Sequence, residues 1–431
     1  MNFLKKQSPV RIISLGFALV ILIGSVLLSL PYSIRDGVTL RYIDALYMST
    51  SAVCVTGLLT VDAGDTFTPL GQFFLGMLIQ VGGLGVTAVG TGVILAMGKK
   101  INLKARNLIR EAGNLDSGKG VIRFIRLVFL TTVTFELAGA ALSFLVFRKN
   151  FPPLKAAGVS LFHSVASFNN SGFDILGGGQ NLIPYQDDVL LNVVTCALVI
   201  FGGIGFLVIR EVIAKRFRWK KLSMHAKVVL FMSLVLTAAG TVLLKLTEDI
   251  TWMGAFFTSV SARTAGFSTF PLGSFSGAGL LTVIVLMVIG ASPGSTGGGI
   301  KTTTCYVLLE GIRSSATNTS EKAFRYAVPA DAFRKAAVIT LLAIGIVLSG
   351  TYILVILEPG VPFLDALFEM SSAFGTAGLS TGISAGLCDA AKILTILIMF
   401  IGRLGPLTIA SLWYFTKGER VSYPEGNIAI G

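Results

Sequence analysis

Apolar residues in this chain come in long unbroken runs, without the three-and-four spacing of a helix that shows one face to water. The first run covers 10–30, and further runs cover roughly 69–97, 121–147, 188–209, 224–246, 277–309, 333–357 and 390–415. About 20 apolar residues in a helix cross the hydrocarbon core of a bilayer, so the pattern predicts eight transmembrane helices. Lys5, Lys6 and Arg11 stand at the start of the first run as in a signal peptide. The run is long and lacks a small-residue cleavage site, so it reads as a retained helix. Within each pair of runs lies a shorter segment of mixed polarity, at 41–60, 157–176, 250–270 and 362–382. These are too short and too polar to span. They have the character of re-entrant segments, which dip into the membrane and return on the same side.

Composition narrows the class. Of 431 residues, 53% are hydrophobic and 13% charged, with a mean hydropathy of +0.79. Soluble domains carry about 25% charged residues, so a water-facing surface for this chain is excluded. Cys54, Cys196, Cys305 and Cys388 form no CxxC pair, which argues against a disulfide framework or a zinc site. Charge sets the sidedness. Of 35 Lys and Arg, 25 fall at 5–11, 99–126, 210–227, 313–335 and 417–420, seven on the opposite side, and Arg263, Lys301 and Arg403 in membrane segments. The positive-inside rule puts both termini and the basic loops in the cytoplasm. The outer face then sums to −5 and the inner to +17. A negative outer face favours arriving cations, and the inner charge suits topology and anionic lipid.

Aligning the four short segments exposes an internal repeat. SAVCVTGLLT (51–60), ASFNNSGFDI (166–175), SARTAGFSTF (261–270) and SAFGTAGLST (372–381) place Gly57, Gly172, Gly266 and Gly378 at one point. Ten residues before each glycine stands an aromatic (Tyr47, Phe162, Phe256, Phe368), and five before it a small residue (Ala52, Ser167, Ser261, Ala373). Asp44 and Asp365 lie thirteen before, where a helix N-cap would be useful. Downstream, Gly82, Gly202, Gly290 and Gly402 follow, three of them opening the tetrads GGLG, GGIG and GRLG. Two spans per repeat give all four repeats one orientation, unlike the inverted repeats of many carriers. The predicted fold is an all-α polytopic membrane protein: four parallel helix–re-entrant pore loop–helix repeats around a pseudo-fourfold pore. Repeat 1 covers 1–98, repeat 2 99–222, repeat 3 223–316 and repeat 4 317–416, with a tail at 417–431.

Such loops suit a monovalent cation. Backbone carbonyls can replace the water that an ion sheds in a constriction. Convergence of carbonyls on an axis needs positive φ, which glycine adopts at little cost, and a short helix ahead of the glycine points its negative dipole end at the ion. No segment has an acidic residue at its glycine. The second helix of repeat 3 is interrupted by GASPGSTGGG (290–299), and irregular backbone at that depth is tolerated where it lines a cavity or is buried in protein. This reads as a flexible intramembrane loop below the glycines. GSTGGGIKT (294–302) is no phosphate loop, because Ile300 separates glycine from Lys301 and the string follows an apolar span. No nucleotide or organic cofactor is expected in this chain, and no nucleic acid.

VTGL (55–58), NSGF (170–173), TAGF (264–267) and TAGL (376–379) carry a resemblance. Over residues 10 to 416 the chain resembles the membrane subunit of the Ktr/Trk/HKT superfamily of potassium transporters, closest to the bacterial Ktr type. The resemblance implies a potassium filter made of Val55, Thr56, Gly57 and Leu58; Asn170, Ser171, Gly172 and Phe173; Thr264, Ala265, Gly266 and Phe267; and Thr376, Ala377, Gly378 and Leu379. Sodium-preferring plant relatives have serine at the first filter position, which here is Gly57. The resemblance implies a gate of Gly290, Ala291, Ser292, Pro293, Gly294, Ser295, Thr296, Gly297, Gly298 and Gly299 with Arg403. It also implies a cytoplasmic nucleotide-binding ring of the RCK type as partner and a homodimer in the cell membrane. K+ is then cargo, bound at the filter only.

Charged residues at membrane depth are costly and mark function. Arg403 either repels cations or holds the loop through its carbonyls. Glu136 is expected to satisfy a neighbouring polar group, Glu369 and Arg263 to support the filter by pairing, and Lys301 to line the inner mouth or snorkel to headgroups. His163 and His225 sit in no metal-ligand or nucleophile spacing, so an enzyme is not expected. A sodium-permeable or sodium-coupled transporter, or an alternating-access carrier, are the alternatives.

Overall fold

The computed structural model describes residues 9–96, 121–329 and 331–411. The basic stretch at 99–120, the boundary between the first two repeats and the tail 417–431 lie outside the described residues. The described elements are almost all helical: α1 Pro9–Leu28, α2 Tyr42–Cys54, α3 Ala63–Thr66, α4 Pro69–Leu84, α5 Val86–Ala96, α6 Val121–Phe147, α7 Pro153–Phe168, α8 Val189–Ile204, α9 Phe206–Ala214, α10 Met224–Thr247, α11 Trp252–Ala262, α12 Gly277–Val288, α13 Thr302–Thr317, α14 Ala332–Leu357, α15 Phe363–Gly375, α16 Asp389–Leu404 and α17 Pro406–Ser411. One small hairpin, β1 Lys322–Ala323 with β2 Tyr326–Ala327, pairs Lys322 with Ala327.

Helix starts follow local chemistry. Thr68, Asp188, Ser223, Thr251 and Ser276 each cap a helix by accepting a hydrogen bond from the backbone N–H three residues on. The anticipated caps at Asp44 and Asp365 are not caps. Both acids lie in the first turn, behind Arg41 and Pro362. There a carboxylate still opposes the positive end of the helix dipole.

Four helices, α1, α6, α10 and α14, are each long and apolar enough to cross a membrane. α8 and α9 are long and apolar enough only when taken together, as a pair bent by 98°. The other three anticipated runs, 69–97, 277–309 and 390–415, are each divided between two shorter helices. From the sequence, only the third repeat is expected to be interrupted. In fact the tetrads break their helices as well, at Gly85, Gly205 and Gly405, with φ of 86°, 92° and 89°. An L side chain rarely adopts such a backbone, so the helix stops at the glycine and restarts beyond it.

The long helices stand outside. α1 leaves Leu15, Leu19, Leu22, Ile23 and Val26 exposed, and α14 does the same with Leu341, Leu348 and Ile356. In a bilayer those faces meet lipid, and packing takes the opposite face. The interior belongs to the short helices and to the segments after them. Its largest fully buried side chains include Tyr47, Phe168, Phe173, Phe257, Phe267, Phe368 and Phe374. Three of the short helices, α2, α7 and α11, are hung from the long ones by matching hydroxyls. Ser49 donates to the carbonyl of Ile21 (2.7 Å), Ser164 to that of Glu136 (2.6 Å) and Ser259 to that of Thr237 (2.8 Å).

Candidate functional site

The short helices α2, α7, α11 and α15 run down to the four glycines. Three of them end alike. Val55, Asn170 and Thr376 adopt left-handed φ of 55°, 58° and 48°. The N–H of the next residue reaches back five positions, from Thr56 to Ser51, Ser171 to Ala166 and Ala377 to Ser372. This is the Schellman closure of a helix, usually made with glycine. Here β-branched valine and threonine occupy the left-handed position at two of the three ends, which costs on the order of 1–2 kcal/mol at each.

The third end differs. Ala265 reaches back only four residues, to Ser261, and no left-handed residue precedes Gly266. The segment is one residue shorter between its anchoring serine and its glycine. The aromatic aligned as Phe256 is therefore out of step: Phe256 is half-buried, and Phe257 takes the fully buried place.

All four glycines have positive φ: 99° at Gly57, 68° at Gly172, 78° at Gly266 and 80° at Gly378. Each faces the next. A Cβ on Gly57 would strike the carbonyl of Ser171, one on Gly172 that of Ala265, one on Gly266 that of Ala377, and one on Gly378 that of Thr56. The contacts run from the first segment through the fourth and back to the first, so the glycines form a closed ring. The sixteen residues of the four motifs are all buried around it. Leu58, Phe173, Phe267 and Leu379 plant their side chains in the apolar core. That fixes the segments by their side chains and leaves their backbones to line the ring.

On one side the ring opens to a cavity of about 480 Å³, whose walls include Gly57, Gly266, Gly378, Asp62, Asp174 and Asn181. Asn181 belongs to none of the four motifs. Its amide nitrogen donates to the Gly172 carbonyl (3.2 Å) and to Asp174 (3.1 Å), while its oxygen accepts from Ser268 N–H (3.1 Å). It thus joins the second segment to the third. The one local signal was its place after GGGQ, since asparagine tolerates the left-handed backbone it adopts here, φ 50°.

The interrupted helix lies on the other side. Between α12 and α13 the chain makes a loop that is largely buried, and its backbone groups are spent on the surrounding elements. Ser292 and Thr296 N–H donate to Gly203 and Gly202 carbonyls (3.0 and 3.2 Å), and the Phe206 N–H donates to Gly294 (3.2 Å). The Thr296 hydroxyl donates to the Phe168 carbonyl (3.3 Å), and Gly298 N–H donates to the Thr376 hydroxyl (3.0 Å). Of the residues predicted for this loop, only Pro293, Gly294 and Ser295 are half-buried; the other seven are buried.

Arg403, on α16, forks. One terminal nitrogen donates to the Thr296 carbonyl, the other to the carbonyls of Gly82 and, at 3.4 Å, Gly83. It therefore ties the loop to the end of α4. Lys301 packs back on the loop itself. Its ammonium turns back and donates to the carbonyls of Gly297 (2.8 Å) and Gly298 (3.3 Å).

The remaining buried charges sort differently from the sequence expectation. Arg263 and Glu369 do not pair. Arg263 donates to the carbonyl and hydroxyl of Ser233, both at 3.3 Å. Glu369 accepts from Ser380 (2.8 Å) and Ser384, pinning the chain just after the fourth segment. Glu136 serves Gln80 (3.3 Å) and Asn169 (3.0 Å), as expected of a polar group satisfying its neighbours. Lys392, placed with the outer loops on charge alone, is buried on α16 and meets Asp44 on α2 at 2.6 Å. Its partner is 348 residues away, beyond the reach of any local pattern.

Comparison with known proteins agrees with this architecture. A cation transport protein family model, TrkH, matches residues 10–416. The chain is 36% identical to the Ktr system potassium uptake protein B of Bacillus subtilis, covering 98% of this chain and 97% of that one. It is 35% identical to the potassium/sodium uptake protein NtpJ of Enterococcus hirae, covering 99% and 98%. The crystal structure of the potassium transporter TrkH from Vibrio parahaemolyticus superposes with a TM-score of 0.74 at 19% identity, over 95% of this chain and 86% of that one. A multi-pass membrane protein with this fold and these relatives is a transporter rather than an enzyme, and the chain belongs to the TrkH family of cation transport proteins.

Proposed function

We propose that the chain is the membrane subunit of a potassium uptake system and passes the ion through a filter at Gly57, Gly172, Gly266 and Gly378. The observation that carries this reading is the closed ring of positive-φ glycines at the ends of four short helices. Carbonyls converging there would replace the water a potassium ion loses, and the helix ends would add their negative dipoles. Uptake would be driven by the membrane potential, worth about 2.3 kcal/mol per charge per 100 mV.

In this reading the sixteen motif residues form the filter, and residues 1–98, 99–222, 223–316 and 317–416 form four parallel repeats around it. The membrane is crossed eight times, by four long helices and four broken ones. Both termini and the basic loops face the cytoplasm. Residues 290–299 with Arg403 form the gate. The name of the Bacillus relative, a Ktr system protein, supports both potassium as cargo and a multi-component assembly. A cytoplasmic RCK-type nucleotide-binding ring would meet the basic inner face and the tail 417–431. Two copies of the chain would sit on that ring, which rests on the family resemblance alone.

A second reading, permeation of sodium as well, is favoured by the potassium/sodium relative from Enterococcus. Rubidium and sodium uptake by the full chain in liposomes, with the potential clamped by ionophore, separates the two. Preference for rubidium, lowered by G57S, is the expected result. Equal uptake of both ions by the unaltered chain would overturn the potassium filter.

A further inference from the structure

We propose that Thr376 is a latch through which the intramembrane loop sets the shape, and so the ion preference, of the glycine ring. This rests on the filter-and-gate reading above and adds a regulatory connection between its two parts.

Thr376 is the left-handed residue at the end of α15, two positions before Gly378, and it is fully buried. Its hydroxyl oxygen accepts the Gly298 N–H at 3.0 Å. A threonine strained at φ 48° keeps that backbone only if its surroundings hold it. The surroundings here are the loop. Gly298 packs so closely that a Cβ on it would overlap the Thr376 hydroxyl, and a Cβ on Gly299 would lie 3.3 Å from the Gly375 carbonyl. On the other side, Gly375 packs on the Met287 carbonyl at the end of α12.

The equivalent left-handed residues are held without the loop. Val55 has no hydrogen-bonding side chain. Asn170 is bound to the Thr264 hydroxyl at 2.8 Å, and in the amide orientation that satisfies every partner it also donates to the carbonyls of Ser167 and Val199. The loop also reaches the second helix end, where the Thr296 hydroxyl donates to the Phe168 carbonyl, but of the three left-handed residues only Thr376 has its own side chain hydrogen-bonded to the part of the molecule expected to move.

The consequence is mechanical. While the loop is seated, the Gly298 N–H holds Thr376 in place and the peptide planes leading to Gly378 keep their aim. When the loop leaves, the hydroxyl loses its partner and Thr376 relaxes toward an ordinary backbone conformation, turning the carbonyls of one of four strands. The seated state then discriminates between cations better than the open state.

The test uses the full chain in liposomes and reads rubidium and sodium uptake separately. T376V keeps the β-branched shape and removes the acceptor. T376S keeps the acceptor. G298A disturbs the same contact from the loop side and serves if T376V does not fold. T376V and G298A should each lower the rubidium-to-sodium ratio by about three- to tenfold, the range one ordinary hydrogen bond supports, and T376S should rescue the ratio. With residues 292–298 deleted the Gly298 N–H is gone and the loop no longer holds Thr376, so T376V should change the ratio little further. A T376V effect of full size in that deletion would show a local role at the ring and overturn the latch. An unchanged ratio in both T376V and G298A would overturn it too. The filter reading fails separately, through an unaltered ratio in G57S.

Discussion

Arg403 allows the gate to be tested by a substitution that separates two physical effects. Its guanidinium donates to the Thr296 carbonyl on the loop and to the Gly82 carbonyl at the end of α4. Hydrogen bonds from a charged donor contribute about 1.5–3 kcal/mol each, and ordering an arginine side chain costs about 2 kcal/mol. The net clamp is thus about 1–4 kcal/mol. At roughly 1.4 kcal/mol per factor of ten, R403A shifts the seated-to-released equilibrium of the loop by about five- to several-hundredfold. Flux in liposomes then rises toward a ceiling set by a chain lacking 292–297. The same arginine also places a positive charge beside the path, so R403A removes a repulsion as well. R403K keeps the charge but its ammonium cannot span both carbonyls as the planar fork does. If the clamp dominates, R403K passes nearly as much rubidium as R403A. If repulsion dominates, R403K stays as slow as the unaltered chain. R403A flux equal to that of the unaltered chain, when the 292–297 deletion is faster, would refute the clamp.

Three other outcomes follow from the same coordinates. Deleting 292–297 raises uptake in liposomes without any regulatory subunit, and unchanged uptake counts against a gate at that position. K392M removes the buried partner of Asp44 and leaves it only the exposed Arg41 at 3.1 Å, which should lower stability by about 1–3 kcal/mol, read as an earlier thermal unfolding midpoint in detergent; D44L/K392M recovers most of the loss, and a neutral K392M would contradict the burial of the pair. A Cβ on Gly202 would strike the Phe168 carbonyl, whereas one on Gly345, on the open face of α14, meets nothing within 4 Å. G202A should therefore destabilise by about 1–3 kcal/mol and G345A should stabilise by up to about 1 kcal/mol, so equal midpoints for the two variants would refute the assigned packing.

Much of this protein is written locally. Hydrophobic run length is a one-dimensional quantity, and it announced the long helices α1, α6, α10 and α14. Four glycines at equivalent points announced the ring, because positive φ is a demand on the residue itself. The polar, glycine-rich 290–299 declared a break in a helix for the same reason. The tertiary structure decided what depends on partners distant in sequence. A tetrad such as GGLG is compatible with a close-packed helix, and its break at Gly85 becomes visible only with the chain folded. The missing residue in the third segment shifted Phe257, not Phe256, into the core, which spacing from the glycine could not detect. Arg403 could be placed at membrane depth by its neighbours, but its carbonyl partners on Thr296 and Gly82 lie 107 and 321 residues away. Carbonyls carry no sequence identity, since every residue has one. A pattern of side chains can therefore say that a buried cation needs acceptors, and only the fold can say which backbone supplies them.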